Sequence, residues 1–390
     1  MRILYCCNEY PPYKSGGIGS VTKIIAESLV KKGHNIYIAG FYPQQKEECI
    51  KENINGVVVY RLNKPSLLLM LRGWKNRLLN KAGFSSLFAP QYVEWFESQI
   101  ENIIKNEKIE ILEVPDFYFF NVYETDLQYR KFSVPTILRI HGSISFMQNL
   151  SGHPNKYSFH NDYNHFSRCD YISSVSNYSR SYIASTMPNL KFKKDVVIYN
   201  PIEDSFLKKN TGKSLQTILF LGKIKDTKGA YNLIQSFCEF SKNNPLWQLR
   251  MIGGGDIEYA KSIIPEDCKD KIKFMGYCDR ETIKCEIDDC SFVCIPTYFE
   301  NFSIAALEVM GRNKALIYTE RTSGPEIITN MKDGILVDPE NNAQITDSLS
   351  LLSKNIPLRN ELADNAFTKI HSHFTVSAIT KEIESFYNSI

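Results

Sequence analysis

The chain has 390 residues, too many for one ordinary hydrophobic core and suited to two domains. Its composition is globular, 43% hydrophobic and 23% charged, and 46 lysines and arginines against 43 aspartates and glutamates leave a net charge of only +3, so no whole-chain field argues for nucleic acid. Ten scattered cysteines show no CxxC spacing, which argues against a zinc site or a redox dithiol and makes a reducing cytosolic compartment the simpler reading.

In chain order, "MRILYCC" is a first strand that runs into "NEYPP" too soon for a signal peptide. Short apolar runs then alternate with longer amphipathic ones: "NIYIAG", "GVVVYRL", "IEILEV", "PTILRIHG", "YISSVS" and "VVIYN". After the polar stretch "PIEDSFLKKNTGKSLQ" the rhythm restarts with "TILFLGKI", "WQLRMIG", "KIKFMGY", "CSFVCIPT", "KALIYTE" and "GILVDP". This pattern predicts an α/β protein with parallel sheets: a Rossmann-like domain over 1–200, a linker over 201–216 and a second Rossmann-like domain over 217–372. Ligands of open α/β sheets bind at the carboxyl ends of the strands, so an interdomain cleft between two facing sheets is the expected site. No apolar run is long enough to span a membrane, and the chain is expected to be cytoplasmic or at most peripheral on a membrane.

The motifs follow the same order. Gly16, Gly17 and Gly19 stand between the first strand and a helix, where glycine permits close approach to a ligand; a plain tight turn is the other reading. The spacing is GGxG, not GxGxxG, and "NIYIAGFYP" offers no acidic residue for a ribose, which disfavours a nicotinamide dehydrogenase. Over 65–84, Leu67, Leu71, Trp74 and Leu78 share a helical face edged by Arg72, Lys75 and Arg77, the pattern of an interfacial anchor and equally of a core-facing helix. His141 ends an apolar strand before Gly142, whereas His153, His160 and His165 are expected in a polar loop, without metal-ligand spacing. Lys223 and Lys228 in "FLGKIKDTKGA" place point charges after a strand, and "GGGDIEYA" is another glycine turn. No Asp-x-Asp occurs, and Asp288 and Asp289 read as part of a solvated helix face, so no metal site is expected.

"PTYFENFSIAALEVMG" reads as loop and helix, with Ser303 as N-cap. The free N–H groups of such a helix start attract a phosphate. Glu300 precedes that point and Glu308 lies about one turn inside, roughly 6 Å further along the axis. A ligand with a diphosphate at its middle and hydroxyls on both flanks, a sugar nucleotide, suits two carboxylates so placed.

With these parts assembled, the chain resembles the family 4 retaining glycosyltransferases of the GT-B fold along nearly its whole length. The resemblance is carried by Glu300 and Glu308 with seven residues between them, Pro296, Asn301 and Phe302, the GGxG loop, "LGK…KG", "HG" and the turn Gly324 to Glu326. It implies that Glu308 binds the donor ribose, Glu300 the hydroxyls of the transferred sugar, and Lys223 with Lys228 the diphosphate. It also implies that Gly16 and Gly17 approach the same phosphates with Ser303, Ile304 and Ala305 at the helix start, that His141 faces the reacting centre, and that backbone at Tyr277 and Cys278 meets the base. By the same resemblance the first domain is the acceptor side, and a terminal helix over 373–390 crosses back onto it. His141, Glu300 and Lys228 are then the catalytic set, with no cofactor and no metal. The implied activity is retaining hexosyl transfer from a nucleoside diphosphate sugar, UDP by default, to a glycan or lipid-linked acceptor in surface polysaccharide synthesis. Lysine stands at 223 where the family usually has arginine, which removes the bidentate fork. A sugar-nucleotide epimerase or hydrolase of the same fold, and a non-catalytic sugar-nucleotide or membrane-surface binding module, are the alternatives.

Overall fold

A computed structural model describes residues 1–12, 16–42, 44–64, 84–117, 126–209 and 215–390, with side chains from residue 89 onward in the helix that begins at 84. The amphipathic face over 65–84 therefore lies outside the described side chains. The chain divides into two compact units, Met1–Tyr199 with Thr380–Ile390, and Asn200–Ile379.

The first unit is built on β1 (Arg2–Cys6), α1 (Gly17–Lys31), β2 (Asn35–Phe41), β3 (Cys49–Ile54), β4 (Val57–Leu62), α2 (Phe84–Asn106), β5 (Ile111–Pro115), β6 (Thr136–Ile140), α3 (Ile144–Leu150), α4 (Lys156–Ser167), β7 (Tyr171–Ser174), α5 (Asn177–Thr186) and β8 (Lys194–Val197). Its sheet runs β3-β4-β2-β1-β5-β6-β7-β8. All pairs are parallel except β3 with β4, a hairpin closed by Asn55 and Gly56, both at positive φ. The parallel rule misses this strand because "CIKENI" alternates exposed and half-buried residues and has no apolar run; its Asn-Gly turn was the available signal. The helix α1 buries Val21, Ile25, Ala26 and Leu29, a stripe at helical spacing.

The second unit contains β9 (Thr217–Leu221), α6 (Ala230–Lys242), β10 (Gln248–Ile252), α7 (Ile257–Ser262), β11 (Ile272–Gly276), α8 (Arg280–Asp289), β12 (Phe292–Ile295), α9 (Ile304–Gly311), β13 (Leu316–Thr319), α10 (Gly324–Ile327), β14 (Ile335–Val337), α11 (Asn342–Lys354) and α12 (Ile356–His373). Its sheet is wholly parallel, in the order β11-β10-β9-β12-β13-β14. Consecutive buried runs such as "TILFL" and "FVCI" fit strands covered on both faces. The last helix, α13 (Val376–Tyr387), is anchored in the first unit, where the Tyr387 hydroxyl donates to Glu113 at 2.7 Å and meets Tyr5 at 2.9 Å. Glu384 meets Lys32 at 2.5 Å and His34 at 3.0 Å on the same face.

Three expectations are corrected. Cys238 and Cys268 are joined as a disulfide with Cα atoms 5.7 Å apart, a pairing hidden by a separation of 30 residues. His160 and His165 lie within α4 and not in a loop, and His165 is buried between the Pro115 carbonyl and Arg168. Asp288 is not simply solvated, because it holds the buried Arg312 guanidinium, with Nε at 2.8 Å. Among the described residues no helix is long and apolar enough to cross a membrane.

Candidate active site

In the second unit the connections from β9 lead to β10 and β11 on one side of the sheet, and β12 to β14 lie on the other. The carboxyl ends of β9 and β12 therefore flank the place where strand order reverses, the position at which open α/β sheets form a crevice. The loops that leave these two strands are tied together. The Thr227 carbonyl accepts from Tyr298 N and from Thr297 Oγ1, both at 3.2 Å. Gly229, at φ +66°, packs so closely that a Cβ would lie 1.8 Å from the Pro296 carbonyl oxygen. The glycine in "TKGA" is thus required twice, by its left-handed backbone and by the approach of the second loop.

That closure brings Lys228 to Glu300. Their side chains meet at 2.5 Å, and Lys228 also donates to the Phe299 carbonyl at 3.3 Å. The Glu300 carbonyl in turn accepts from Ser323 at 3.1 Å, from the residue just before α10. Lys225, which sequence reasoning passed over, belongs to the same cluster: burial first, then the charges of Lys228 and Lys223, lower its pKa, while Glu300 opposes them. Lys223 itself is exposed. Three lysines within one loop of seven residues were visible in "GKIKDTK", but alternate residues in a loop carry no periodic signal of which way they face.

Ser303 caps α9 by accepting from Ala306 N at 3.2 Å. The N–H groups of Ile304 and Ala305 are at the first turn and have no intrahelical partner. Glu308, in the second turn, is buried; burial pushes its carboxyl up to about 7, with the Arg280 guanidinium at 3.0 Å pulling the other way. Tyr277, beyond β11, is 79% exposed, and its ring covers Gly254 so closely that a Cβ there would strike it. Cys278 beside it is half-buried.

In the first unit Gly16 and Gly17 open α1, but Glu9 occupies that turn: its carboxylate accepts from Gly16 N at 3.0 Å and Gly19 N at 3.4 Å. Glu9 was overlooked because it stands before the glycines, outside the motif. His141 follows β6, where burial, and secondarily Arg139, lower its pKa to about 3 and hold the ring neutral. The turn behind it is fixed by Asp116, fully buried at the end of β5, which accepts from Gly142 N at 2.7 Å. Burial pushes Asp116 up to about 7, against the pull of backbone N–H groups of Gly142 and His141, and the nearby Asp162 carboxyl adds to the rise.

Residues 202–369 match the family described as Glycosyl transferases group 1, and residues 15–206 match the family described as Glycosyltransferase Family 4. An uncharacterised glycosyltransferase of Methanocaldococcus jannaschii is 25% identical over 99% of this chain and 98% of its own length. Among solved structures, sucrose-phosphate synthase from Thermosynechococcus elongatus superposes with a TM-score of 0.78 at 14% identity, over 100% of this chain and 98% of that one. The chain is a family 4 glycosyltransferase of the GT-B fold. A second solved structure, the Anabaena protein HepE, gives a TM-score of 0.71 at 13% identity with both chains fully covered.

The glycosyltransferase therefore carries Lys223, Lys228, Tyr277, Cys278, Glu300, Ser303, Ile304, Ala305 and Glu308 along one carboxyl edge of its second sheet, and Gly16, Gly17 and His141 along the corresponding edge of its first. The raised Asp116 pKa makes a prediction for this turn. A folded-state pKa of about 7 against an ordinary 3.8 means that the fold favours the protonated carboxyl, so the stabilising effect of that proton is lost as pH rises from about 4 to about 7. Asp116→Asn removes this titration, and its stability relative to wild type is expected to rise through that window by on the order of 2–4 kcal/mol and then to level off. Paired melting curves from pH 4 to 8.5 check it; a difference independent of pH would show that Asp116 is ionised in the fold throughout.

Proposed function

We propose that this glycosyltransferase moves a hexose-type sugar, with retention, from a nucleoside diphosphate donor to a hydroxyl of a glycan or lipid-linked saccharide, in surface polysaccharide synthesis. The observation that carries this reading is the juxtaposition of Lys228, Glu300 and the capped start of α9 at the switch point of the second sheet. Lysine ammonium groups and backbone N–H groups suit the charge that builds on a departing diphosphate. UDP is the favoured carrier, supported by HepE, whose structure holds UDP and glucose.

In this reading the bond from the anomeric carbon to the diphosphate oxygen breaks and a bond to the acceptor oxygen forms on the same face. The acceptor's proton passes to the departing phosphate oxygen, so no side chain has to act as base. Lys228, with Lys223 and Lys225, stabilises the leaving group. Glu300 holds hydroxyls of the transferred sugar once the donor's phosphates engage Lys228. His141, kept neutral by burial, offers the sugar a hydrogen bond without adding a second cation near an oxocarbenium-like centre. Glu308 accepts the ribose hydroxyls, and Tyr277 with Cys278 meets the base. No metal is assigned a step, and activity is expected to survive chelation.

A thermal-shift screen over UDP-, GDP- and other nucleotide sugars tests the donor class, because a ligand that binds only the folded state raises its melting temperature. Glu308→Gln keeps the size of the side chain and loses the charge that strengthens two hydrogen bonds. Its donor affinity is expected to fall by about 1–3 kcal/mol. An unchanged dissociation constant in the folded variant would remove Glu308 from the site.

A further inference from the structure

Glu308 does not stand alone in its pocket: it shares one guanidinium with a carboxylate from a distant segment. Arg280 Nη2 lies 3.0 Å from Glu308 Oε1 and 2.8 Å from Glu203 Oε2. The guanidinium carbon sits 4.6 Å from the centre of the Phe206 ring, and Lys284, one turn further along α8, lies 5.2 Å from the same ring. Arg280 is the first residue of α8, behind its N-cap Asp279. A cation there opposes the helix dipole, so the stability of α8 does not account for it. The Glu308 side chain is 9% exposed while those of Arg280 and Glu203 are 45% and 39% exposed, so the buried carboxyl depends on the shared cation far more than the outer one does.

The charges that face the Glu308 carboxyl are Arg280 and Lys284 of α8, which favour its ionised form, and Glu203, which opposes it. Other charged groups near α9 make contacts of their own. Arg359 and Lys369 of α12 meet the Leu352 carbonyl and Asp333, Arg312 holds Asp288, and Lys314 donates to the Cys290 carbonyl.

We propose that Arg280 is a positioning residue for the donor: it keeps the Glu308 carboxylate charged and aimed for ribose hydroxyls, and Glu203 competes for the same guanidinium. The division of one cation between two carboxylates then sets the affinity for a nucleoside diphosphate and its fall at acid pH. Glu308 stands at about 7 with Arg280 in place, so removing that cation raises it further and favours the neutral carboxyl at physiological pH. The inference rests on the reading of Glu308 as the ribose contact, and the experiment separates the two.

UDP and GDP are titrated calorimetrically, from pH 6 to 9, into wild type, Glu308→Gln, Arg280→Ala, Arg280→Lys and Glu203→Gln. The Glu308→Gln profile supplies the pH dependence that belongs to the diphosphate itself. For a one-unit shift, Arg280→Ala is expected to bind about fivefold more weakly at pH 7 and nearly tenfold at pH 6, with the gap closing towards pH 9. Arg280→Lys recovers part of the loss. Glu203→Gln shifts the acid limb in the opposite direction, to lower pH, and decides the matter on its own if Arg280→Ala does not fold. A loss in Arg280→Ala that is equal at every pH, or a Glu203→Gln limb that moves with that of Arg280→Ala, overturns the proposal. Wild-type affinity in Glu308→Gln, or no binding of either diphosphate by wild type, overturns instead the ribose reading beneath it.

Discussion

Lys228→Ala is expected to lower kcat/KM for the sugar donor by about 10²–10³-fold, the usual cost of removing one group that stabilises charge developing in a transition state. The loss should appear with the diphosphate and not with the nucleoside, because only the former carries the charge that Lys228 meets. Stability should change little. Lys228 and Glu300 are 24% and 29% exposed in their side chains, so water can take over the freed carboxylate, and a pair of this exposure contributes at most about 1 kcal/mol. Steady-state kinetics beside a melting curve, repeated in EDTA, separate the outcomes. A variant that keeps full activity would remove Lys228 from the reaction. Activity lost in EDTA and restored by magnesium would move the diphosphate's charge from the lysines to a metal.

Gly229→Ala should act on the fold and the site together. The added Cβ meets a left-handed backbone at φ +66° and the Pro296 carbonyl at 1.8 Å. The backbone conformation alone costs about 1–2 kcal/mol for a residue with a side chain, and separating the two loops adds a comparable amount, for a total on the order of 2–4 kcal/mol. Donor affinity should fall with it, since the Thr227 carbonyl would lose Thr297 and Tyr298, and Lys228 would part from Glu300. Thermal melting and donor titration check both halves. A folded Gly229→Ala with wild-type melting temperature and donor affinity would mean that the contact between the two loops does not hold the site.

The sequence by itself determined the elements whose information is local. Buried strands follow from short apolar runs, α9 from Ser303 and the apolar residues after it, and the restart of the β-α rhythm near residue 217 from the polar stretch that precedes a new series of apolar runs. The spacing of Glu300 and Glu308, with the glycine turns, was enough to show the family resemblance, because a motif's spacing is read along the chain without knowing what its side chains meet. Only the tertiary structure decided which side chains meet. Lys228 and Glu300 are 72 positions apart, Arg280 and Glu308 are 28 apart, and Asp116 reaches a turn 26 residues on; no periodicity connects them, and each pair exists because parallel strands deliver their loops to one sheet edge. The same reason hid Lys225, Glu9 and the disulfide between Cys238 and Cys268. Burial did the rest: it held His141 neutral and lifted Asp116 and Glu308 towards neutrality, since the cost of a charge depends on the solvent that packing excludes and not on the residues beside it in the chain.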